Sequence, residues 1–303
     1  MTYLLTGATG FVGRRLAALL LAGGHSVSYL GRKRSPGFDS RAAFFLWENP
    51  EQTLPPLETV PRTDAVIHLA GEPVIQRWTV EAKRRIRSSR VAGTRNLVAA
   101  IGKLKHKPKV LVSASAVGYY GNRGGDLLTE ASGPGSGFLA DVCVEWEREA
   151  DLAGILGLRV VHARIGIVLG PGGGALGQML KPFQFGLGGR LGNGRQWMPW
   201  IHRDDLARMF QFAVENETVS GAWNGTAPEP VKNAVFTETL ARALGRPAML
   251  PVPKFAIRLA FGEMGNVLFD SIRAVPAAPE KAGFSFEYRE LEPALRAVLR
   301  KAA

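Results

Sequence analysis

Short aliphatic runs alternate with amphipathic stretches through the first half of the chain, the pattern of strands buried on both faces separated by helices. Residues 3–6 predict a buried strand, then a glycine-rich turn and a helix over 11–22. Gly23-Gly24 closes that helix as its C-terminal cap, and 26–30 predict the second strand. A strand at 65–69 precedes a basic helix at 80–101, and 109–113 predict the next strand. From 138 to 153, Phe138, Val142, Trp146 and Ala150 recur every fourth position, which marks one face of a helix. Strand material returns at 159–163 and 165–169. This βαβ alternation predicts an α/β fold with a doubly wound parallel sheet of Rossmann type.

After Gly170 the texture changes. Gly170-Pro171-Gly172-Gly173-Gly174 predicts a loop or lid, 183–199 is rich in glycine, and prolines punctuate 228–253. A nucleotide-binding domain is expected at 1–170, with contributions from about 200–215. A smaller substrate-side region is expected at 171–303, with helices at 235–244 and 290–300.

Composition narrows the class. Of 303 residues, 46% are hydrophobic and 21% charged, which suits a packed core and excludes a disordered chain. No apolar run approaches the roughly 18 residues that cross a bilayer. The first apolar run begins at Tyr3, leaving no room for a signal or transit segment, so a cytoplasmic protein is expected. The single cysteine, Cys143, excludes an intrachain disulfide and a cysteine-rich zinc cluster, and no metal is expected. On a helix without a neighbouring His, it reads as a buried inert thiol. Lys and Arg number 38 against 26 acidic residues, a formal charge of +12. The excess sits at Arg32-Lys33-Arg34, along 83–95 and at 103–109, without the interleaved aromatics of a base-stacking surface. Solvated helix faces account for most of it, and an anionic small molecule fits it better than nucleic acid.

The strongest chemical signal is Thr6-Gly7-Ala8-Thr9-Gly10-Phe11-Val12-Gly13, set between an expected strand and an expected helix. Gly7 permits a tight turn, Gly10 lets backbone approach a pyrophosphate, and Gly13 lets the helix pack closely on the strand. The helix N-terminus then offers free N–H groups to phosphate. Gly7, Thr9, Gly10, Phe11, Val12 and Gly13 are therefore the expected cofactor contacts. After the second strand, where an NAD site carries an acid, stands Gly31-Arg32-Lys33-Arg34, with no carboxylate until Asp39. An Arg fork matches a 2′-phosphate, so NADP(H) is the expected cofactor and Arg32 its contact.

With that turn, Asp64 to Gly71, Gly93-Thr94-Arg95-Asn96-Leu97, Ser113-Ala114-Ser115 with Tyr119-Tyr120-Gly121, Arg164 to Pro171, and Trp200 to Asp205, the chain resembles the extended short-chain dehydrogenase/reductases over residues 1–220. Arg273-Ala274-Val275-Pro276 and Lys281-Ala282-Gly283-Phe284 resemble the uncharacterised C-terminal domain of one epimerase-like subfamily, some members of which are labelled cell-division inhibitor. The resemblance implies that Leu69, Ala70 and Gly71 line the adenosine and pyrophosphate channel. It also implies that Asp64 borders the adenine and that Ser113, Arg164 and Val168 lie along the cofactor, the last two on the nicotinamide side.

The family moves a proton through a Tyr, tuned by a Lys four residues later, while a Ser polarises the carbonyl. Ser115 fits the Ser position, or equally a hydroxyl satisfying loop backbone. Phe138 and Val142 stand where the Tyr and Lys belong, and no register of this helix recovers the pair. Tyr119 and Tyr120 are the substitute phenols, with no adjacent cation in the sequence to lower a pKa of about 10. His202 with Asp204-Asp205 fits the start of a helix, where Asp caps. Arg190, Arg195 and Trp197 suit either an anionic substrate or a solvated loop. Two functions remain open: an NADP(H)-dependent oxidoreductase or epimerase acting on a small molecule, and a catalytically silent NADP(H)-binding regulatory or interaction protein.

Overall fold

A computed structural model describes residues 1–186, 188–248 and 251–300. Its first strand, β1 (Thr2–Thr6), is buried from Tyr3 onward, as an apolar run without alternation requires. Helix α1 (Phe11–Ala22) buries Gly13, Leu16, Ala17, Leu20 and Leu21 on one face and stops at Gly23. Strands β2 (Ser26–Gly31), β3 (Ala43–Leu46) and β4 (Ala65–His68) lead to α2 (Val80–Lys103). Thr79 caps α2 by accepting from the Ala82 N–H. Next come β5 (Val110–Ala116), the short β6 (Leu127–Leu128), α3 (Phe138–Ile155), β7 (Arg159–Ile165) and β8 (Ile167–Leu169). The later elements are α4 (Gly174–Gln184), β9 (Trp197–Met198), β10 (Trp200–His202), α5 (Arg203–Glu215), β11 (Gly221–Gly225), β12 (Val231–Lys232) and α6 (Asn233–Leu244). They end with α7 (Lys254–Phe261), α8 (Met264–Val267), β13 (Arg273–Ala274), α9 (Ala277–Lys281) and α10 (Leu291–Arg300).

Among the described residues, seven parallel strands form one sheet in the order β11-β7-β5-β4-β1-β2-β3. On one face, Leu16 and Leu20 of α1 pack with Leu206 and Phe210 of α5. On the other, Leu97 and Ile101 of α2 meet Ala150 and Ala153 of α3. The strand order reverses at β1, which places the ligand crevice at its carboxyl end. There Thr6 is level with Leu30 of β2 and His68 of β4.

The sheet does not end near residue 170. Gly221–Gly225 adds its outermost strand beside β7. The segment Gly-Ala-Trp-Asn-Gly has no β-branched run, so pairing with β7 decides a conformation that local preference leaves open. A separate core joins Leu169, Trp200, Phe236, Leu240, Leu291 and Leu295 and seats α6 and α10. Among the described residues no helix is long and apolar enough to cross a membrane.

Candidate functional site

The chain leaves β1 through Gly7 at φ +67°, where a Cβ would stand 2.6–2.8 Å from the backbone of Leu69 and Ala70. A Cβ on Gly13 would stand 2.3 Å from Gly7 O, so these two positions require glycine on contact grounds. Gly10 N donates to Gly7 O over 3.0 Å, and Gly10 starts α1 with no side-chain cap and no acid in the first turn. The first-turn N–H groups thus face outward for an anion, beside exposed Thr9 and Gly10. Phe11 and Val12 contribute backbone here. The Phe11 ring turns into a socket where Cβ atoms on Gly170, Gly173 and Gly174 would lie 3.0, 2.9 and 2.8 Å from it. The expected lid is therefore packed on α1, and its glycines serve close approach.

Beside this turn, Thr6 Oγ1 accepts from the N–H groups of Leu69 and Ala70, each over 3.2 Å, and lies 2.6 Å from His68 Nδ1. His68 Nε2 lies 2.9 Å from Thr94 Oγ1 on α2. Burial pushes the imidazole pKa down to about 4, with Arg90 adding to the effect, so His68 is neutral at pH 7.

Arg90, hidden in the basic run of α2, was not legible as a site residue. Its guanidinium lies against Gly71, where a Cβ would be 3.0–3.2 Å from its carbon and terminal nitrogens. Nη1 donates to Glu72 O and Ile86 O over 2.9 and 3.1 Å, and the group sits 5.1 Å from the Trp146 ring centre. Nε and Nη2 have no acceptor among the described residues, and no carboxylate pairs with Arg90 there. Burial lowers its pKa from the ordinary guanidinium value. An Arg–Gly contact at a strand end was the only signal, and it exists in three dimensions alone.

At the end of β2, Arg32 and Lys33 are exposed and form no ion pair among the described residues. Asp39, the first carboxylate after them, is bound by Arg41. Asp64 does not border this region. Its carboxylate accepts from Thr2 N over 2.8 Å at the amino ends of β1 and β4, the opposite edge of the sheet from the glycine turn.

The ends of β5 and β7 carry a buried polar network. Ser115 Oγ donates to Glu147 Oε1 over 2.6 Å, and Arg164 grips the same carboxylate through Nε and Nη2, both over 2.9 Å. Arg164 Nη1 donates to Tyr120 OH (3.1 Å), which donates to Asn224 Oδ1 (2.7 Å). Burial raises the Tyr120 pKa against the opposing pull of Arg164. Ser115, Tyr120 and Arg164 are thereby held in the wall, which corrects their expected roles: none presents a free hydroxyl or guanidinium to a ligand. Ser113 is enclosed within β5 beside His68 and His162, and its hydroxyl donates to Ala114 O. Tyr119 differs. It is half-buried, its hydroxyl has no partner among the described residues, and the Arg164 guanidinium stacks 3.5 Å from its ring centre. A cation therefore adjoins this phenol, one that the sequence did not reveal.

Phe138, at the start of α3, packs edge-on against Trp78 at 5.0 Å, with Lys83 Nζ 5.6 Å from its ring centre, and Val142 is buried. Leu139 lies against Gly118, and Cys143 Sγ reaches Ala116 O. Burial pushes the Cys143 thiol up to about 11, which suits an inert side chain. The α3 face toward β5 carries neither phenol nor ammonium.

Farther out, His202 rather than an Asp caps α5, its Nδ1 accepting from Asp204 N. Asp204 pairs with Arg15 of α1, and buried Asp205 accepts from the N–H groups of Glu287 and Tyr288, fastening the C-terminal segment. Arg190 and Arg195 are exposed, while Trp197 lies with Arg273 and Lys232 instead. Val168, on β8, is half-buried.

Residues 3–224 match the profile of the NAD dependent epimerase/dehydratase family, and residues 252–298 match a domain of unknown function, DUF1731. The chain is 40% identical over 296 residues to epimerase family protein YfhF of Bacillus subtilis, covering 97% of both proteins. It is 40% identical over 307 residues to the chloroplastic epimerase family protein SDR39U1 homolog of Arabidopsis thaliana, covering 99% of this chain and 87% of that one. The crystal structure of human epimerase family protein SDR39U1 with NADPH superposes with a TM-score of 0.90 at 35% identity, covering 99% of each chain.

Proposed function

The chain belongs to the NAD dependent epimerase/dehydratase family, and on that premise we propose that it is an NADP(H)-binding protein whose cofactor crosses the carboxyl ends of β2, β1 and β4. One observation carries the reading: a glycine cradle at β1, too tight for any side chain at Gly7 and Gly13, opens at the sheet end where Arg32 follows β2, exposed and without an ion-pair partner among the described residues. Arg32 binds the 2′-phosphate, the first turn of α1 takes the pyrophosphate, and Leu69, Ala70 and Gly71 floor the channel. Because β4 lies across β1 from β2, Arg90 meets the half of the dinucleotide away from the 2′-phosphate. The human relative solved with NADPH supports the choice of cofactor.

When bound, NADP(H) supplies a hydride donor or acceptor for a small-molecule substrate. With Ser115 and Tyr120 bound to Glu147 and Asn224, Tyr119 is the phenol left to move a proton, under the Arg164 guanidinium. That guanidinium is itself ion-paired with Glu147. Residues after 170, apart from α5 and β11, form the substrate side, and the protein works in the cytoplasm. The replacement of the usual pair by Phe138 and Val142 favours a second reading, a regulatory protein that keeps the cofactor and has lost turnover.

Calorimetric titration with NADPH and NADH tests the primary reading. NADPH binds far more tightly, and Arg32→Glu reduces the preference at least tenfold, since a charge-assisted hydrogen bond contributes about 1.5–3 kcal/mol. Equal affinity of the wild-type protein for both cofactors refutes it.

A further inference from the structure

Of residues 253–270, only Met264 and Gly265 are buried, and α7 buries none of its side chains. This segment is held mainly at its ends. Before α7, Val252 N donates to Arg190 O over 2.8 Å, and Val252 O accepts from Gly192 N over 3.0 Å. After it, Gly262 turns the chain at φ +63°, a conformation that L side chains rarely adopt. A Cβ on Gly265 of α8 would stand 3.0 Å from Ile257 O, so α7 and α8 form one close hairpin. The return arm is fixed at Ser271, whose N–H donates to Asn122 Oδ1 over 3.1 Å, just past the Tyr119-Tyr120-Gly121 turn.

The tip of the hairpin reaches a different part of the molecule. Gly262 pairs with Trp78, and Lys83 of α2 donates to the Glu263 carboxylate. Trp78 lies in the loop from β4 to α2, which starts with the channel residues Leu69, Ala70 and Gly71. Its ring meets Phe138 edge-on, and Lys83 Nζ lies 5.8 and 5.6 Å from the Trp78 and Phe138 ring centres. Phe138 is the residue that the resemblance sets in place of the proton-moving Tyr, at the reacting end of the cofactor. The hairpin thus arches from the turn after β5 to the loop after β4, across the carboxyl ends of neighbouring strands. The Lys83 and Glu263 side chains that join at its tip are 30% and 60% exposed. Exposed pairs contribute little to stability, so a contact of this kind opens and recloses readily.

We propose that α7 and α8 form a flap that closes over the nicotinamide end of the site, with Lys83 and Glu263 as its latch. This rests on the reading of the protein as an NADP(H)-dependent binder of a small molecule, and it names how the ligands are admitted and enclosed. Swinging on its roots at Val252 and Ser271, the flap parts from Trp78 to open a path, then recloses to exclude water. Because α7 buries no side chain, the swing exposes little apolar surface.

Amide hydrogen exchange through residues 254–263 of the ligand-free protein tests the latch. Lys83→Glu, which opposes two carboxylates, speeds this exchange at least fivefold while β1 and β5 are unchanged. Adding Glu263→Lys slows it again. Wild-type exchange in Lys83→Glu, or no slowing in the double variant, overturns the latch. Closure is tested with Lys83→Cys and Glu263→Cys joined by a reducible bis-methanethiosulfonate, from which Cys143 is shielded by burial. Joined after loading, the protein releases NADPH at least tenfold more slowly in stopped flow, and dithiothreitol restores the rate. Equal release before and after joining overturns closure over the site. If the wild-type protein does not bind NADPH, the cofactor reading falls. Acetylation of the Tyr119 hydroxyl by N-acetylimidazole then decides the flap without a ligand. Joining the two cysteines slows it at least threefold, and an unchanged rate overturns closure.

Discussion

Thr6 and His68, on adjacent strands, share a hydrogen bond of 2.6 Å whose direction the neighbouring groups determine. The threonine oxygen already accepts from Leu69 N and Ala70 N, so its proton goes to Nδ1. His68 must then carry its own proton on Nε2 and donate it to Thr94. This tautomer pins the floor of the proposed cofactor channel to the end of β1, and a second proton on the ring would break it.

Stability should accordingly fall in mild acid. The folded pKa of His68 is held down at about 4 against an unperturbed 6.5, so the folded state binds the proton less readily than the unfolded chain. The stabilisation is complete above pH 6.5 and is lost as pH drops toward 4, in total about 3 kcal/mol. Urea unfolding at pH 7.5, 5.5 and 4.5 measures it. In His68→Gln this component of the pH dependence disappears.

Two glycines of the turn should separate binding from folding. A Cβ on Gly10 meets only Gly7 O, at 3.2 Å, and otherwise faces the pyrophosphate space. Gly10→Val therefore abolishes NADPH binding with little change in Tm. Gly13→Ala forces a Cβ to 2.3 Å from backbone and lowers both. Calorimetry beside thermal unfolding distinguishes the two, and normal NADPH binding by Gly10→Val places the phosphate site elsewhere.

Arg90→Gln should weaken NADPH about tenfold, the equivalent of about 1.4 kcal/mol. Adenosine 2′,5′-bisphosphate, which lacks the nicotinamide half, should bind the variant as it binds the wild type. Equal losses for both ligands would mean that Arg90 only supports the Glu72 backbone.

The two adjacent tyrosines should behave differently. Tyr120→Phe removes the hydroxyl between Arg164 and Asn224 and costs about 1–3 kcal/mol of stability. Tyr119→Phe leaves stability unchanged. Against common nucleotide sugars the wild-type protein should show little turnover, because general acid–base help worth about 10²–10⁴ in rate is missing at Phe138 and Val142. Robust turnover that vanished in Tyr119→Phe would establish a relocated donor and remove the main support for the silent reading.

The sequence by itself determined five of the sheet's seven strands, all but β3 and β11, and the glycine turn, because these are written in local terms. Strand and helix periods are properties of neighbouring residues, and the glycines at 7, 10 and 13 answer to a backbone path only a few residues long. The basic Arg32-Lys33-Arg34 run, with no acid before Asp39, is equally local. Only the tertiary structure decided which polar groups remain available to a ligand. Ser115 and Tyr120 read as catalytic until Glu147 and Asn224, 32 and 104 residues away, take their protons. Asp64 read as an adenine neighbour until strand register put it at the wrong edge of the sheet. Arg90 read as surface charge until packing set it on Gly71. Hydrogen-bond partners and unpaired charges depend on contacts between distant segments, and no local pattern specifies those.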